Sequence, residues 1–301
     1  MNFNLLVILG PTASGKTRLG VELAKRFDGE IISADSRQVY RGMDIGSGKD
    51  LAEYGSVPCH LIDIVEPGYE FNVFEFQRRF LEAFAHIGRR GRLPVMVGGT
   101  GMYLESILKG YRLVEVPMNP TLREELAMLS GDELAERLRL VNPRLHNTTD
   151  LLDRERLLRA MEIACHEREH APEPLPDLRP LVLGIRWERG LLRQRITTRL
   201  RERLNDGLLE EVARLHGEGI PWEKLEFYGL EYRFVAQHLK GELNRNDLFQ
   251  KLNSAIHDFA KRQETWFRRM ERNGTVIHWL DGAGDPLAEA VELVTRGLNA
   301  P

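Results

Sequence analysis

The chain has 301 residues, 42% of them hydrophobic and 29% charged, with a formal net charge of −3. That balance excludes a disordered, collagenous or coiled-coil protein and allows one large domain or a core with a smaller partner. No apolar run approaches the ~18 residues that span a bilayer, and the start "MNFNLLVILG" carries no basic stretch or cleavage site, so a cytoplasmic protein is expected.

The first predicted element is an apolar strand from Leu5 to Leu9, which runs into "GPTASGKT" and then an amphipathic helix ending near Phe27. Gly10, Gly15, Lys16 and Thr17 fit the phosphate-loop pattern of glycine, four residues, then Gly-Lys-Ser/Thr; Pro11, Thr12, Ala13 and Ser14 are the four between. The glycines let the backbone curl so that successive N–H groups face an anion, and the following helix adds its positive end. Lys16 is placed to reach terminal phosphate oxygens, and the Thr17 hydroxyl to ligate Mg²⁺.

A second strand, Glu30 to Ser33, leads into "ADSRQVYRGMDIGSGK". Asp35 sits just past its end, where side chains of open α/β sheets face the ligand crevice. It reads equally as a metal ligand, a general base or the cap of the next turn. Asp63, in "HLIDIVEP", reads either as a carboxylate for the metal or as a strand-end cap. A third strand, Leu93 to Val97, ends in "GGTG" with no carboxylate, and Thr100 there looks into the same crevice. The two cysteines, Cys59 and Cys165, have neither metal-ligand nor disulfide-framework spacing.

Between Val116 and Pro180 the strand pattern gives way to helical patterns, and "HAPEPLPDLRP", with four prolines, leads back to strands at Leu181 to Trp187 and Val276 to Leu280. The chain therefore reads as α/β: a P-loop NTPase-like parallel sheet flanked by helices, from residues 1–115 and 181–301, with a smaller all-helical insertion at 116–180. Residues 186 to 203 carry seven Arg against two Glu, and 261 to 272 five basic against two acidic residues. Such runs are either solvated helix faces or nucleic-acid contacts. Leu192, Ile196, Leu200 and Leu204 make one stripe of the first run, and Arg195, Arg199 and Arg203 the stripe beside it. Trp266 and Phe267 read as core aromatics before base-stacking ones.

Taken together and in order, "GPTASGKT", "ISADSRQVYRGMDIGSGK", "HLIDI", "VGGTGMYLESILKG", "ERLLRAMEI", "RQRITTRLRERLNDGLLEEV" and "KRQETWFRR" resemble the tRNA dimethylallyltransferases over nearly the whole chain. The resemblance implies prenyl transfer from dimethylallyl diphosphate to N6 of the adenosine just 3′ of the anticodon in tRNA, with Mg²⁺. It implies Asp35 as the base, Lys16 and the loop around a departing diphosphate, Thr100 against the incoming nucleotide, and Arg199 on the diphosphate or nearby RNA. It also implies tRNA contacts from Asp35, Ser36, Arg37 and Gln38, from Arg123, and from Glu155, Arg156, Leu157, Leu158 and Arg159, so the anticodon stem-loop is the expected partner. Glu231 stands where the family has a basic residue, and such a carboxylate would repel RNA phosphate unless Arg233 or a partner compensates. Arg203 reads as a solvated helix edge.

Two other readings stand beside it: a P-loop kinase of a small metabolite, with Asp35 as base and Asp63 near the metal, and, prompted by the altered "FYGLEY" segment, a tRNA-binding relative without catalysis. A monomer is expected, since no second long apolar stripe is left unaccounted for.

Overall fold

In the computed structural model, residues 2–111, 113, 116, 118–141, 153–169 and 175–299 are described. Unit by unit, the elements are β1 (Leu5–Leu9), α1 (Lys16–Arg26), β2 (Gly29–Ala34), β3 (Cys59–His60), α2 (Val73–Arg89), β4 (Leu93–Gly98) and α3 (Gly101–Leu108), then α4 (Pro120–Leu126), α5 (Gly131–Val141) and α6 (Arg154–Glu169). After these come β5 (Pro180–Arg186), α7 (Arg189–Asn205), α8 (Leu208–Gly217), α9 (Trp222–Phe227), α10 (Leu230–Leu239), α11 (Arg245–Arg272), β6 (His278–Asp281) and α12 (Pro286–Asn299).

Strand β1 is apolar and buried at every position, as a central parallel strand covered on both faces must be. Its side chains alternate between two cores. Leu5, Val7 and Leu9 join Phe76 and Phe80 of α2 and Phe267 and Met270 of α11. Leu6 and Ile8 join Leu19 and Leu23 of α1 and Val294 of α12. Burying each such side chain contributes about 1.5–3 kcal/mol, which is why this strand anchors the sheet.

The sheet is parallel, in the order β3-β2-β4-β1-β5-β6. From β1 the chain first builds outward to β2 and β3, fills in β4, and then crosses to β5 and β6 on the opposite side. The reversal occurs at β1, so the crevice at its carboxyl end is where a ligand belongs. The loops after β1, β2, β4 and β5 all open there. The predicted strands appear within a residue or two, while β3 has no counterpart in the sequence reading because two residues carry no periodicity. The last strand starts at His278, two residues later than its apolar run, and Val276 is left exposed.

The chain forms two compact units, Met1–Gly110 with Asp177–Pro301, and Tyr111–Pro176. Residues 142–150, at the end of one expected insertion helix, and residues 170–174 of the proline-rich stretch lie outside the described residues. In the second unit Leu126, Leu134, Leu138, Leu157, Leu158 and Met161 pack together. Beside them the buried Glu162 accepts from Arg123 (2.8 Å), Arg159 (3.0 Å) and the Asn119 N–H (2.9 Å). Burial raises its carboxyl pKa, but these donors outweigh burial and hold it at about 2.

Helix α1 can approach the sheet because residue 20 is glycine: a Cβ there would lie 2.6 Å from Val97 Cγ2, with Ile8 and Ile31 just behind. Gly20→Val is expected to destabilise the protein by about 1–3 kcal/mol through overpacking, read as a lower Tm. An unchanged Tm would show that this contact gives way freely.

Candidate active site

The phosphate loop leaves β1 and closes on the first turn of α1. Gly15 caps that helix with φ 89°, a left-handed conformation that favours glycine. The rest of the loop is held from outside. Arg195 Nε donates to Ala13 O at 2.9 Å while its guanidinium stacks 4.2 Å from the Trp187 ring centre, and Trp187 Nε1 donates to Ser14 O at 3.0 Å. In a trans peptide N–H and C=O point in opposite directions. Fixing the Ser14 carbonyl therefore aims the Gly15 N–H away from Trp187.

A third clamp comes from α11. Its buried stripe runs Leu248, Leu252, Ile256, Ala260, Gln263, Phe267, Met270. The polar member of that stripe, Gln263, accepts from the Thr12 N–H at 2.8 Å and donates to Gly99 O at 2.9 Å. One carboxamide thus ties the phosphate loop to the end of β4.

On the far side of the crevice Asp35 accepts the Arg37 N–H at 2.9 Å through Oδ1, so the turn-capping reading of Asp35 is realised. Thr100 precedes α3 but does not cap it; its hydroxyl accepts the Ser36 N–H at 3.1 Å instead, joining the β2 and β4 ends. Gln38 is buried, accepting from Ser33 at 2.8 Å and donating to Gly48 O at 3.1 Å, and so shapes the loop through internal bonds. The loop's return is fixed by two buried charges. Glu211 of α8 accepts from the N–H groups of Asp44 (2.8 Å), Ile45 (2.7 Å) and Gly46 (3.0 Å) and from the Tyr232 hydroxyl (2.8 Å). The fully buried Lys49 ammonium donates to Tyr40 O (2.6 Å), Asp44 (2.6 Å) and Asp63. Asp63 thus shares with Asp44 the pairing of Lys49, a partner that neither sequence reading of Asp63 named.

Lys16, Thr17, Asp35, Thr100, Arg199 and Glu231 line one cavity of about 590 Å³. Lys16, Thr17 and Arg199 also line a second cavity of about 680 Å³, so the phosphate loop is open on two sides. Burial lowers the Lys16 ammonium pKa from 10.5 to about 8, with Asp35 pulling it back up and Arg199 and Arg203 pushing it further down. The arginine stripe of α7 divides its work. Arg195 clamps the loop and Arg199 pairs with Asp50. Arg203, expected at a solvated edge, is only 12% exposed and meets Glu231 at 3.1 Å, because α7 packs its Leu192, Ile196 and Leu200 inward and carries Arg203 in with them. Arg203, not Arg233, is thus the cation that offsets Glu231, whose carboxyl burial pushes up. Of the two aromatics, Phe267 is fully buried in the core, whereas Trp266 lines the cavity with Arg269 3.9 Å from its ring centre.

The sequence profile described as IPP transferase matches residues 38–270, and the one described as isopentenyl transferase matches residues 3–54. The chain belongs to the IPP transferase family. It is 73% identical over 300 residues to tRNA dimethylallyltransferase 1 of Geotalea uraniireducens, an alignment covering 100% of this chain and 99% of that protein. A solved tRNA isopentenylpyrophosphate transferase of Bacillus halodurans superposes with a TM-score of 0.73 at 31% identity, covering 98% of this chain and 96% of that one. A eukaryotic dimethylallyltransferase acting on tRNA shares the fold, with a TM-score of 0.82 at 23% identity, covering 99% of this chain and 80% of that one.

This IPP transferase distributes its expected site residues unequally. Those of the phosphate loop, Asp35 to Gln38, Thr100 and Arg199 belong to the first unit, and most of them share the cavity. Arg123, Glu155, Arg156, Leu157, Leu158 and Arg159 belong to the second unit. There Leu157 and Leu158 are core side chains, Arg123 bridges Glu162 and Glu155, and Arg159 joins Glu162 to Val116 O (2.6 Å). Sequence reasoning missed Gln263, Glu211, Lys49 and Trp187. Gln263 and Glu211 carried a signal, since each interrupts an apolar helical stripe with a polar residue.

The Lys16 pKa gives a pH test. Below about pH 8 the ammonium carries the charge that an anion would need; above it the free protein loses that charge. The apparent Kd for inorganic diphosphate is expected to rise about ten-fold or more from pH 7 to pH 9.5 relative to the trend in Lys16→Ala, measured by calorimetric titration. Parallel trends in the two proteins would remove Lys16 from the anion site.

Proposed function

We propose that the protein transfers a dimethylallyl group from dimethylallyl diphosphate to N6 of the adenosine 3′-adjacent to the anticodon of tRNA. The observation that carries this reading is the sharing of one cavity by the anion-binding Lys16 and Thr17 and by Asp35 and Thr100. Donor and acceptor groups converge there. In the reaction the adenine N6 forms a bond to C1 of the dimethylallyl group, the C1–O bond to diphosphate breaks, and the N6 proton passes to Asp35. Asp35 already spends one carboxylate oxygen on the Arg37 N–H, which orients the other for the proton. The loop N–H groups, Lys16 and Arg199 stabilise the charge growing on the leaving diphosphate, an effect worth about 10²–10³ in rate per donor in comparable anion holes. Thr100, held by Ser36, seats the adenosine. The reacting base has to leave its stack, at a cost of a few kcal/mol that contacts to the tRNA offset.

Mg²⁺ fits the donor set. Thr17 offers a hydroxyl in the cavity, and Mg²⁺ characteristically takes one or two protein oxygens and completes its shell with phosphate and water. Bound there with diphosphate, it would neutralise leaving-group charge. Among the described residues no helix is long and apolar enough to cross a membrane; a tRNA substrate supports the reading of a cytoplasmic enzyme, and a monomer is part of the same proposal. The tRNA contacts of the second unit come from its charged residues Arg123, Glu155, Arg156 and Arg159.

Incubation of the purified protein with labelled donor, Mg²⁺ and unmodified tRNA is expected to add one dimethylallyl mass to a single adenosine beside the anticodon, read by mass spectrometry of the digested RNA. Unchanged tRNA would overturn the reading, and ATP consumption without donor would indicate a kinase. Asp35→Ala is expected to lower kcat by about 100-fold or more; near-normal turnover would remove Asp35 as the base.

A further inference from the structure

Phe227, the last residue of α9, is 63% exposed although it lines the same cavity as Asp35. It is not needed to hold its helix: Leu225 and Tyr228 on either side are fully buried, and the Tyr228 hydroxyl is engaged by the Gly68 N–H. Its ring is instead framed by cations. Arg37 Cζ lies 5.6 Å and Lys224 Nζ 6.0 Å from the ring centre. Arg37 is also the residue whose N–H Asp35 holds, so ring, guanidinium and base are linked through one short turn. Lys224 is paired with Glu70 at 3.3 Å, so the chemistry left at this exposed ring is that of a phenyl beside a guanidinium, which takes an unstacked nucleobase, the ring stacking on the base and Arg37 meeting a neighbouring phosphate.

We infer that Phe227, with Arg37, is a stacking platform for the nucleobase next to the reacting adenosine in the tRNA chain. The inference rests on the tRNA prenyl-transfer reading and adds a second base-recognition point to it. Asp35, Arg37 and Phe227 line one cavity, so the ring lies in the same cavity as an adenosine held at Asp35. A stacked neighbour there would fix the rotation of the flipped nucleotide and favour RNA whose stem-loop already opens at this position.

The test uses the full chain and an anticodon stem-loop RNA in which the base on either side of the reacting adenosine is replaced by an abasic residue. Phe227→Ala is expected to raise KM for the intact stem-loop about ten-fold or more, with KM for dimethylallyl diphosphate within two-fold of the parent. Phe227→Trp is expected to restore KM for the RNA. One of the two abasic substrates should show the same loss with the parent protein and no additional loss with Phe227→Ala. An unchanged KM for RNA, full rescue by Phe227→Leu, a rise in donor KM instead, or multiplicative losses with both abasic substrates would each overturn the platform. Absence of any prenylation by the parent protein would instead contradict the function on which it rests.

Discussion

The geometry of the site depends on the Gln263 carboxamide. Its oxygen holds the phosphate loop at Thr12 and its nitrogen holds Gly99, one residue before Thr100. These two segments leave adjacent strands, β1 and β4, whose register is fixed by pairing from Leu6 with Val95 to Leu9 with Gly98. The sheet sets the distance between the strand ends, but loops beyond strand ends have no ladder to hold them. A buried carboxamide with both its donor and its acceptor used supplies that missing constraint, and leaving either group unpaired in a buried place would cost about 1–3 kcal/mol. The phosphate loop and the end of β4 are thereby tied into one wall of the cavity.

Around that wall, buried charge does the remaining positioning. Glu211 gathers three consecutive N–H groups and a tyrosine hydroxyl, and Lys49 gathers a carbonyl and two carboxylates, so the segment carrying Asp35 is fixed at its return. Arg195 and Trp187 hold the loop carbonyls from behind, and the Arg203–Glu231 pair sits beside the anion site without adding net charge. With Arg199 likewise paired, to Asp50, the unpaired positive charge at the phosphate loop is left to Lys16. Partial burial of Lys16 makes its charge more valuable to a bound anion and more sensitive to pH.

Much of this could be read from residue order. The buried strands announced themselves as continuous apolar runs, and the phosphate loop as a spacing with a known backbone purpose. The edge strand β3 could not be read, because two residues pairing with Ile31 and Ile32 have no period of their own. Asp63 could be noticed but not assigned, since its role depends on Lys49, 14 positions away in sequence and brought to it only by the fold. Arg203 was misjudged for a related reason: an arginine stripe on a helix looks solvated until a buried carboxylate from another helix, Glu231, is packed against it. Gln263 and Glu211 sit between these cases, visible as polar breaks in apolar stripes but silent about their partners.

If the phosphate loop grips a diphosphate that departs only as adenine attacks, leaving-group release must be tied to the RNA. The most direct measurement counts diphosphate released and prenylated adenosine formed in the same reaction, with and without tRNA. The account predicts one diphosphate per modified adenosine and negligible release when tRNA is omitted. Diphosphate or phosphate released at a comparable rate without tRNA would contradict it, because the two half-sites would then be working independently.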